Sequence, residues 1–281
     1  MCRLFGFRSV IQSQVHRSLL DADNALGSQS GEHPDGWGVA YYVDGAPHIT
    51  RSPTTALNCQ LFQRVSGVVA SETVLAHVRK ATVGNISVLN CHPFQFGRWT
   101  MAHNGDVTDF EQHRETLRQR VAPRLRRYIL GDTDSEVLFH LVLTHLSQSG
   151  PLDRQLDVSD VAHALRQTVT EIRELCDRPD KPSLLTMIVT DGVTMAAIQG
   201  GKELLWSTYK TRCSDRDQCP SLSQQCEAPT ASGYVNHLIF SSETILGENV
   251  WTSMRENEVI GVDWRMKLHR EEPAMRKLQI V

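Results

Sequence analysis

A chain of 281 residues, 40% hydrophobic and 22% charged, has the size and composition of a globular protein with one large domain or two small ones. Its formal net charge of −3 excludes an overall attraction to nucleic acid or to an anionic membrane surface. No apolar run approaches the roughly 20 residues of a membrane helix, and no signal peptide is visible at the N-terminus. We therefore expect a cytoplasmic protein without membrane attachment.

The first hundred residues are predicted to consist mainly of strands joined by turns. An apolar run from Leu4 to Phe7 is typical of a buried strand, and Asp44-Gly45 is a strong two-residue hairpin signal. The predicted elements are a strand at 4–7, a helical segment at 16–29, strands at 39–43 and 48–51, a short helix at 54–65, and strands at 74–78 and 99–102. Together these strands suggest one antiparallel sheet built from the N-terminal half.

The middle of the chain is predicted to be helical, and the last third returns to strands. Apolar residues recur at helical spacing, and Pro123 breaks or kinks the first helical stretch. The predicted helices cover 109–129, 134–147 and 159–175. A second hairpin at 184–189 and 194–198 is predicted to be extended by strands at 204–209 and 238–241, with a polar loop at 211–235 between them and two short strands at 259–262 and 266–269.

Strands, helices and strands follow one another without regular alternation, which argues against a doubly wound parallel sheet. This order favours an α+β fold in which two antiparallel sheets pack together with helices outside. No repeat, low-complexity tract or linker divides the chain, so residues 1–281 are predicted to form a single domain.

The seven cysteines are odd in number and irregular in spacing. They include no Cys-x-x-Cys pair, so neither a structural zinc site nor any other metal site is expected. With no export signal, reduced thiols are the expectation. Cys213, Cys219 and Cys226 fall in the polar loop and are interpreted as loop thiols.

Cys2 stands directly before the first predicted strand. A cysteine in second position is, by itself, more often a small buried apolar residue. If Met1 is removed, however, Cys2 carries a thiol together with an α-amine that can accept the thiol proton. One residue would then supply both a nucleophile and a base.

Three further segments place polar groups at the ends of predicted elements. Arg79 leaves a strand, where a guanidinium is usually a surface charge but can also bind a carboxylate through two hydrogen bonds. Asn104-Gly105 is most often a turn, although an Asn amide beside a Gly N–H can also hold a developing oxyanion. Asp134 opens a helix, where Thr133 or Asp134 fits an N-cap. Capping does not explain why acids recur at 132, 134 and 136.

These segments together resemble the class II glutamine amidotransferases, which have the N-terminal-nucleophile hydrolase fold. The resemblance runs in order from Cys2 to Glu136 and includes the Pro-Asp-Gly-x-Gly element at 34–38, a hallmark of the family. A later segment, Ser241-Ser242-Glu243, is also similar to a family segment, with Thr244 where a proline is usual. Each motif is weak alone, whereas five in order from residue 2 are specific.

The resemblance implies a four-layer αββα sandwich and a role for each matching residue. Cys2 would be the nucleophile and its α-amine the base, with Asn104 and Gly105 as the oxyanion hole. Arg79 would bind the α-carboxylate of a glutamyl group and Asp134 its α-ammonium. The remaining implied pocket residues are Thr82 and His77. The substrate would be glutamine or a γ-glutamyl amide, cleaved through a γ-glutamyl thioester without a metal or organic cofactor.

Two departures bear on which branch of the family the chain resembles. Lys80 stands where the sugar-phosphate amidotransferases usually carry tryptophan. The larger members fuse this domain to a synthase, whereas here one such domain takes up the whole length. The sequence is most similar to the stand-alone members, including YafJ-type proteins and γ-glutamyl hydrolases.

Three functions remain open from the sequence. The first is hydrolysis of free glutamine, with a separate acceptor subunit if the ammonia is used. The second is cleavage of a γ-glutamyl amide or peptide whose leaving amine is larger than ammonia. The third is a catalytically idle member that binds a γ-glutamyl metabolite or a protein partner. A homodimer is compatible with each. Six arginines at 114–127 are interleaved with Glu111 and Glu115, which favours a solvated helix face over a nucleic-acid site.

Overall fold

The computed structural model describes residues 2–15, 17–21, 25–212, 226–245 and 247–273. These ranges form strands β1 (Arg3–Gln14), β2 (Trp37–Val43), β3 (Ala46–Ser52), β4 (Ala70–Val78), β5 (Phe94–Phe96), β6 (Trp99–Asp106), β7 (Leu184–Thr190), β8 (Met195–Ile198), β9 (Leu205–Ser207), β10 (His237–Ser241), β11 (Thr252–Ser253), β12 (Val259–Val262) and β13 (Leu268–Glu271). The helices are α1 (Leu26–Gln29), α2 (Gln60–Val68), α3 (Phe110–Arg120), α4 (Pro123–Arg126), α5 (Asp134–Ser149) and α6 (Val158–Cys176), with a short π-helix at Arg17–Asp21 and a 3-10 turn at Val88–Asn90.

Two antiparallel sheets form the centre of the molecule. One has seven strands in the order β11-β9-β10-β1-β4-β2-β3, and the other has six in the order β13-β12-β8-β7-β6-β5. Side chains alternate between the two faces of a strand. On β1, Leu4 therefore packs between the sheets while Phe5 packs on the outer face.

Three apolar cores define four layers. Helices α3 to α6 cover the six-stranded sheet through a core that includes Phe139, Leu165 and Met187. The sheets meet in a second core, and a third core joins the outer face of the seven-stranded sheet to α1 and α2, where Trp37 and Phe62 lie edge to face at 5.1 Å. The predicted α+β sandwich of two antiparallel sheets is confirmed.

Short sequence signals for a helix cap, a helix break and two hairpins agree with the structure. Thr133 is the N-cap of α5, and its hydroxyl accepts a hydrogen bond from the Glu136 N–H at 3.3 Å. Pro123 separates α3 from α4 by occupying the first turn of α4, where its missing N–H costs nothing. Both predicted hairpins, at Asp44-Gly45 and Asp191-Gly192, are present.

The assignment of strands to sheets was predicted wrongly in two places. Strand β6 does not join the N-terminal sheet but pairs with β7, about 80 residues later in the chain. Strands β9 and β10 do not extend the β7–β8 hairpin; β10 pairs with β1 in the other sheet. Turn signals report neighbours in sequence, whereas these pairings join distant segments.

Two helix predictions also had the wrong bounds. The helix expected at 54–65 begins only at Gln60, because residues 53–59 form turns with Asn58 at a positive φ of 61°. The segment expected at 16–29 contains the π-helix and α1, with residues 16 and 22–24 outside the described ranges. Cys213 and Cys219, with most of the predicted 211–235 loop, also lie outside them.

Among the described residues, none of the helices has the length and apolar character that a membrane crossing requires. Cys2, Cys59, Cys91, Cys176 and Cys226 are free thiols.

Candidate active site

Cys2 lies at the start of β1, beside the end of β4. The antiparallel register pairs Arg3 with Val78, so Cys2 comes next to the residues that follow β4. The Cys2 thiol is 3.4 Å from both the N–H and the carbonyl oxygen of Lys80. Burial raises the pKa of the thiol, and the Lys80 hydrogen bond and the nearby Arg79 charge offset only part of that shift.

Arg79 is almost fully buried, with 2% of its surface exposed. Its guanidinium donates to the carbonyl oxygens of Val83 at 2.8 Å and Asn85 at 3.2 Å, which organises the loop after β4. Its backbone N–H donates to the carbonyl oxygen of Gly36 at 2.7 Å. Hydrogen bonds therefore hold both the backbone and the guanidinium of Arg79 in place.

The Pro-Asp-Gly-x-Gly element at 34–38 contacts the loop that follows β4. Asp35 accepts a hydrogen bond from the Ala81 N–H at 2.9 Å. A Cβ on Gly36 would lie 2.7 Å from the Cys91 sulfur, and one on Gly38 would lie 2.1 Å from the His92 carbonyl oxygen. Both glycines are required because neighbouring chain passes too close for a side chain.

Asn104 and Gly105 lie within β6 rather than in a turn. Gly105 pairs with Leu185 on β7, and a Cβ on Gly105 would lie 1.8 Å from the Leu184 carbonyl oxygen. The Asn104 amide donates to the Ser242 hydroxyl at 3.5 Å, and that hydroxyl accepts the Leu4 N–H at 2.9 Å. Ser242 thus joins the strand that carries Cys2 to the strand that carries Asn104 and Gly105.

Asp134 is the first residue of α5 and is 3% exposed. Its carboxylate accepts hydrogen bonds from the backbone N–H groups of Val107 and Ser135, both at 2.8 Å. The Ser135 hydroxyl in turn lies 2.9 Å from Nδ1 of His103. The carboxylate therefore has a fixed direction.

The other two acids of this segment have structural partners. Asp132 accepts from the side-chain amides of Asn85, at 3.1 Å, and of Asn90. Glu136 accepts from the N–H groups of Leu130 at 3.1 Å and Gly131 at 2.6 Å. Glu136 holds the loop that precedes α5, and Asp132 ties that loop to the segment at 85–90, which leaves Asp134 as the acid in the pocket.

These elements surround one small pocket between the two sheets. Its lining residues are Cys2, Arg79, Lys80, Thr82, Val83, His92, His103, Gly105, Thr133, Asp134 and Ser135. Two predicted residues, Asn104 and His77, are absent from this lining. Asn104 is buried next to Gly105 with its amide on Ser242, and His77 is fully buried behind the lining, with its ring centroid 4.1 Å from that of His92. Burial lowers the pKa of His77 to about 3, so this ring is neutral near pH 7. No three His, Cys, Asp or Glu side chains of the described ranges are placed to hold a metal ion.

A family model of the class II glutamine amidotransferases matches residues 1–212 of this chain. The chain belongs to the class II glutamine amidotransferases. It is 33% identical over 208 residues to the probable glutamine amidotransferase DUG3 of Saccharomyces cerevisiae, a match that covers 68% of this chain and 55% of that protein. It is 36% identical over 117 residues to the γ-glutamyl-hercynylcysteine sulfoxide hydrolase of Mycobacterium tuberculosis, covering 38% of this chain and 50% of that protein.

The matched region spans about half the length of these curated relatives. A solved structure of a glutamine aminotransferase class-II domain protein from Silicibacter pomeroyi superposes with a TM-score of 0.65 at 20% identity, covering 96% of this chain and 99% of that one. That likeness is to the fold, which is the N-terminal-nucleophile hydrolase fold of these amidotransferases.

In this member of the family, the sequence motifs alone do not reveal the connecting role of Ser242 or the presence of His103 and Ser135 in the pocket. Ser242 belongs to a segment already recognised as similar to the family, so the segment itself was a usable signal. His103 precedes Asn104, and Ser135 follows Asp134, so both lie next to predicted site residues.

Proposed function

We propose that the protein is an amidohydrolase that cleaves the γ-amide of glutamine or of a γ-glutamyl compound through a thioester on Cys2. The observation that carries the proposal is that the Cys2 thiol, the Arg79 guanidinium, the Gly105 backbone and the Asp134 carboxylate line the same pocket. Two opposite charges suit the carboxylate and the ammonium of a free glutamyl head group. The Cys2 thiol can then react with the γ-carbonyl at the other end of the substrate.

In the proposed reaction, the Cys2 thiolate attacks the γ-carbonyl carbon and forms a tetrahedral oxyanion. The Asn104 amide and the Gly105 N–H donate hydrogen bonds to that oxyanion. Collapse of the intermediate breaks the C–N bond, and the departing amine takes up the proton that came from the thiol. Water then attacks the γ-glutamyl thioester, releasing glutamate and restoring the Cys2 thiol.

The base in this scheme is the α-amine of Cys2, which exists only after Met1 is removed. Burial raises the pKa of the Cys2 thiol, so a thiol without a base is mostly protonated near pH 7. An α-amine has a pKa near 8 and is placed on the same residue. Removal of Met1 is therefore a requirement of the proposal.

Thr82 lines the pocket and His77 supports it from behind through His92. We assign both to the shape of the substrate site rather than to chemistry. We also propose that residues 1–281 act as one amidotransferase domain, because each sheet combines strands from the first and the second half of the chain. Similarity to a γ-glutamyl-hercynylcysteine sulfoxide hydrolase supports leaving groups larger than ammonia.

The test compares wild type, Cys2→Ala and Cys59→Ala. Cys59 is a half-buried free thiol before α2 and serves as the matched control. We expect Cys2→Ala to lose turnover with an unchanged fold and Cys59→Ala to keep full activity, assayed with glutamine and with γ-glutamyl dipeptides. Intact mass must show loss of Met1 and, on rapid acid quenching, an adduct of glutamyl mass. Substantial turnover by Cys2→Ala, or by protein that retains Met1, contradicts the mechanism.

A further inference from the structure

A second cleft lies at the opposite end of the sheets from Cys2. It encloses about 420 Å³ and is lined by Asp44, Gly45, Phe96, Gly97, Arg98, Leu152 and Asp153. The hairpin turn between β2 and β3 forms one wall, and the turn between β5 and β6 forms another. Asn104 follows Arg98 by six positions along β6, which corresponds to roughly 20 Å along an extended strand. This cleft is therefore separate from the Cys2 pocket.

Arg98 is anchored so that one edge of its guanidinium stays available. Its Nε lies 3.3 Å from the carbonyl oxygen and 3.4 Å from the carboxylate of Asp191, which is fully buried at the β7–β8 turn. Within the described part of the chain, the two terminal Nη groups have no hydrogen-bond partner. A guanidinium held through Nε presents these two groups as a fork that fits a carboxylate.

The rest of the cleft carries negative charge and apolar surface. Asp44 and Asp153 are exposed and have no hydrogen-bond or ion-pair partner among the described residues. Because Asp191 balances the charge of Arg98, these two carboxylates leave the cleft with a net negative charge. Phe96 and Leu152 are half-buried and offer apolar surface between the charged groups. A ligand that suits this arrangement has one carboxylate, cationic groups and a short hydrocarbon stem.

We propose that this cleft binds a basic amino acid, with its carboxylate on Arg98, its cationic groups on Asp44 and Asp153, and its methylene chain on Phe96 and Leu152. The class follows from the charges: an anion alone meets two unbalanced carboxylates, and a simple diamine leaves the Arg98 fork empty. The site is independent of the chemistry at Cys2 and would give the protein a second small-molecule ligand.

Trp99 provides a local reporter for this site. Its indole N–H donates to the carbonyl oxygen of Leu152 at 2.9 Å, directly behind the cleft lining. Trp37, at the Cys2 end of β2, reports on the other end of the molecule. In ¹⁵N-labelled protein, the five tryptophan indole resonances are assigned by single substitution to Phe and followed during titration.

Three probes that differ by one group each test the assignment. L-lysine is compared with cadaverine, which lacks the carboxylate, and with L-norleucine, which lacks the side-chain ammonium. We expect lysine to shift the Trp99 resonance, leave that of Trp37 in place, and bind roughly tenfold more tightly than either analogue, since each loses one charge-assisted contact. No Trp99 shift with lysine, or equal binding of cadaverine, overturns the proposal.

Variants test the same contacts from the protein side. Asp44→Asn and Asp153→Asn remove surface charges, and Asn tolerates the positive φ of 50° at position 44. We expect each to weaken lysine binding several-fold and the double variant to weaken it further. Arg98→Lys keeps the charge beside Asp191 but loses the fork, so it should reduce the advantage of lysine over cadaverine. Unchanged lysine affinity in the Asp44→Asn, Asp153→Asn double variant contradicts the assignment even if Arg98→Lys fails to fold.

Discussion

The Asp134 carboxylate binds neighbouring backbone groups and, in our proposal, also binds the substrate. Its carboxylate accepts two backbone N–H groups and has little freedom to turn. A carboxylate held this way is directed before substrate arrives, which lowers the entropic cost of binding. The same contacts mean that substituting Asp134 affects the loop at Val107 as well as the pocket.

We predict that Asp134→Asn raises KM for a γ-glutamyl substrate by roughly tenfold or more, with a smaller effect on kcat. The amide keeps the size of the side chain but loses the charge that pairs with an α-ammonium, a contact of about 1.5–3 kcal/mol. The measurement is the separate determination of kcat and KM. The control is Asp106→Asn, which should leave kcat and KM unchanged. Asp106 is a half-buried carboxylate at the end of β6 and is not in the pocket lining. A normal KM for Asp134→Asn contradicts the proposed role.

At this scale the candidate site could largely be predicted from the sequence. Cys2, Arg79, Gly105 and Asp134 each lie in a short motif of the sequence, and all four line the pocket. Ser242 differs because its significance comes from two contacts, to Leu4 and Asn104, which lie more than 130 residues away in the chain. Contacts of that kind exist only once both sheets have formed.

At the scale of elements, β6 decides where the site lies. The sequence predicted that this strand ends at Ala102 and that Asn104-Gly105 follows it, because Asn-Gly is a common turn. The strand instead continues to Asp106, since Asn104 and Gly105 pair with Thr186 and Leu185 on β7. Strand pairing with a distant partner overrode the local turn preference.

Gly105→Ala tests this feature of β6. A Cβ there would lie 1.8 Å from the Leu184 carbonyl oxygen, so the β6–β7 ladder must separate locally. We expect the free energy of unfolding to fall by about 3 kcal/mol and turnover to be lost. The measurements are urea unfolding and the γ-glutamyl hydrolase assay.

Gly67→Ala is the matched control for this substitution. Gly67 lies in α2 with no atom within 4 Å of its added Cβ, so alanine should stabilise that helix by about 0.5–1 kcal/mol. If Gly105→Ala behaves like Gly67→Ala, the close approach of Leu184 does not constrain the strand.

At the scale of the whole molecule, burial of neutral histidines makes the fold sensitive to acid. Burial lowers the pKa of His77 to about 3 and of His237 to about 4, and it lowers the pKa of His92 well below its usual value. The unfolded chain binds these protons near pH 6.5. The histidines therefore favour the folded state fully above that pH, and this contribution is lost as the pH falls toward the folded values.

We predict that the free energy of unfolding falls between about pH 7.5 and 5, by up to about 1.4 kcal/mol per pH unit for each such histidine below its unfolded pKa. Burial raises the pKa of Glu136 and Asp191, which acts in the opposite direction, so the decisive readout is a difference between variants.

His237→Phe removes one buried titrating ring and should flatten the pH dependence of the urea midpoint. His163→Asn removes an exposed ring on α6 and should leave the slope as in wild type. Equal slopes in all three proteins contradict the prediction, because they would mean that burial of His237 does not change its protonation on folding.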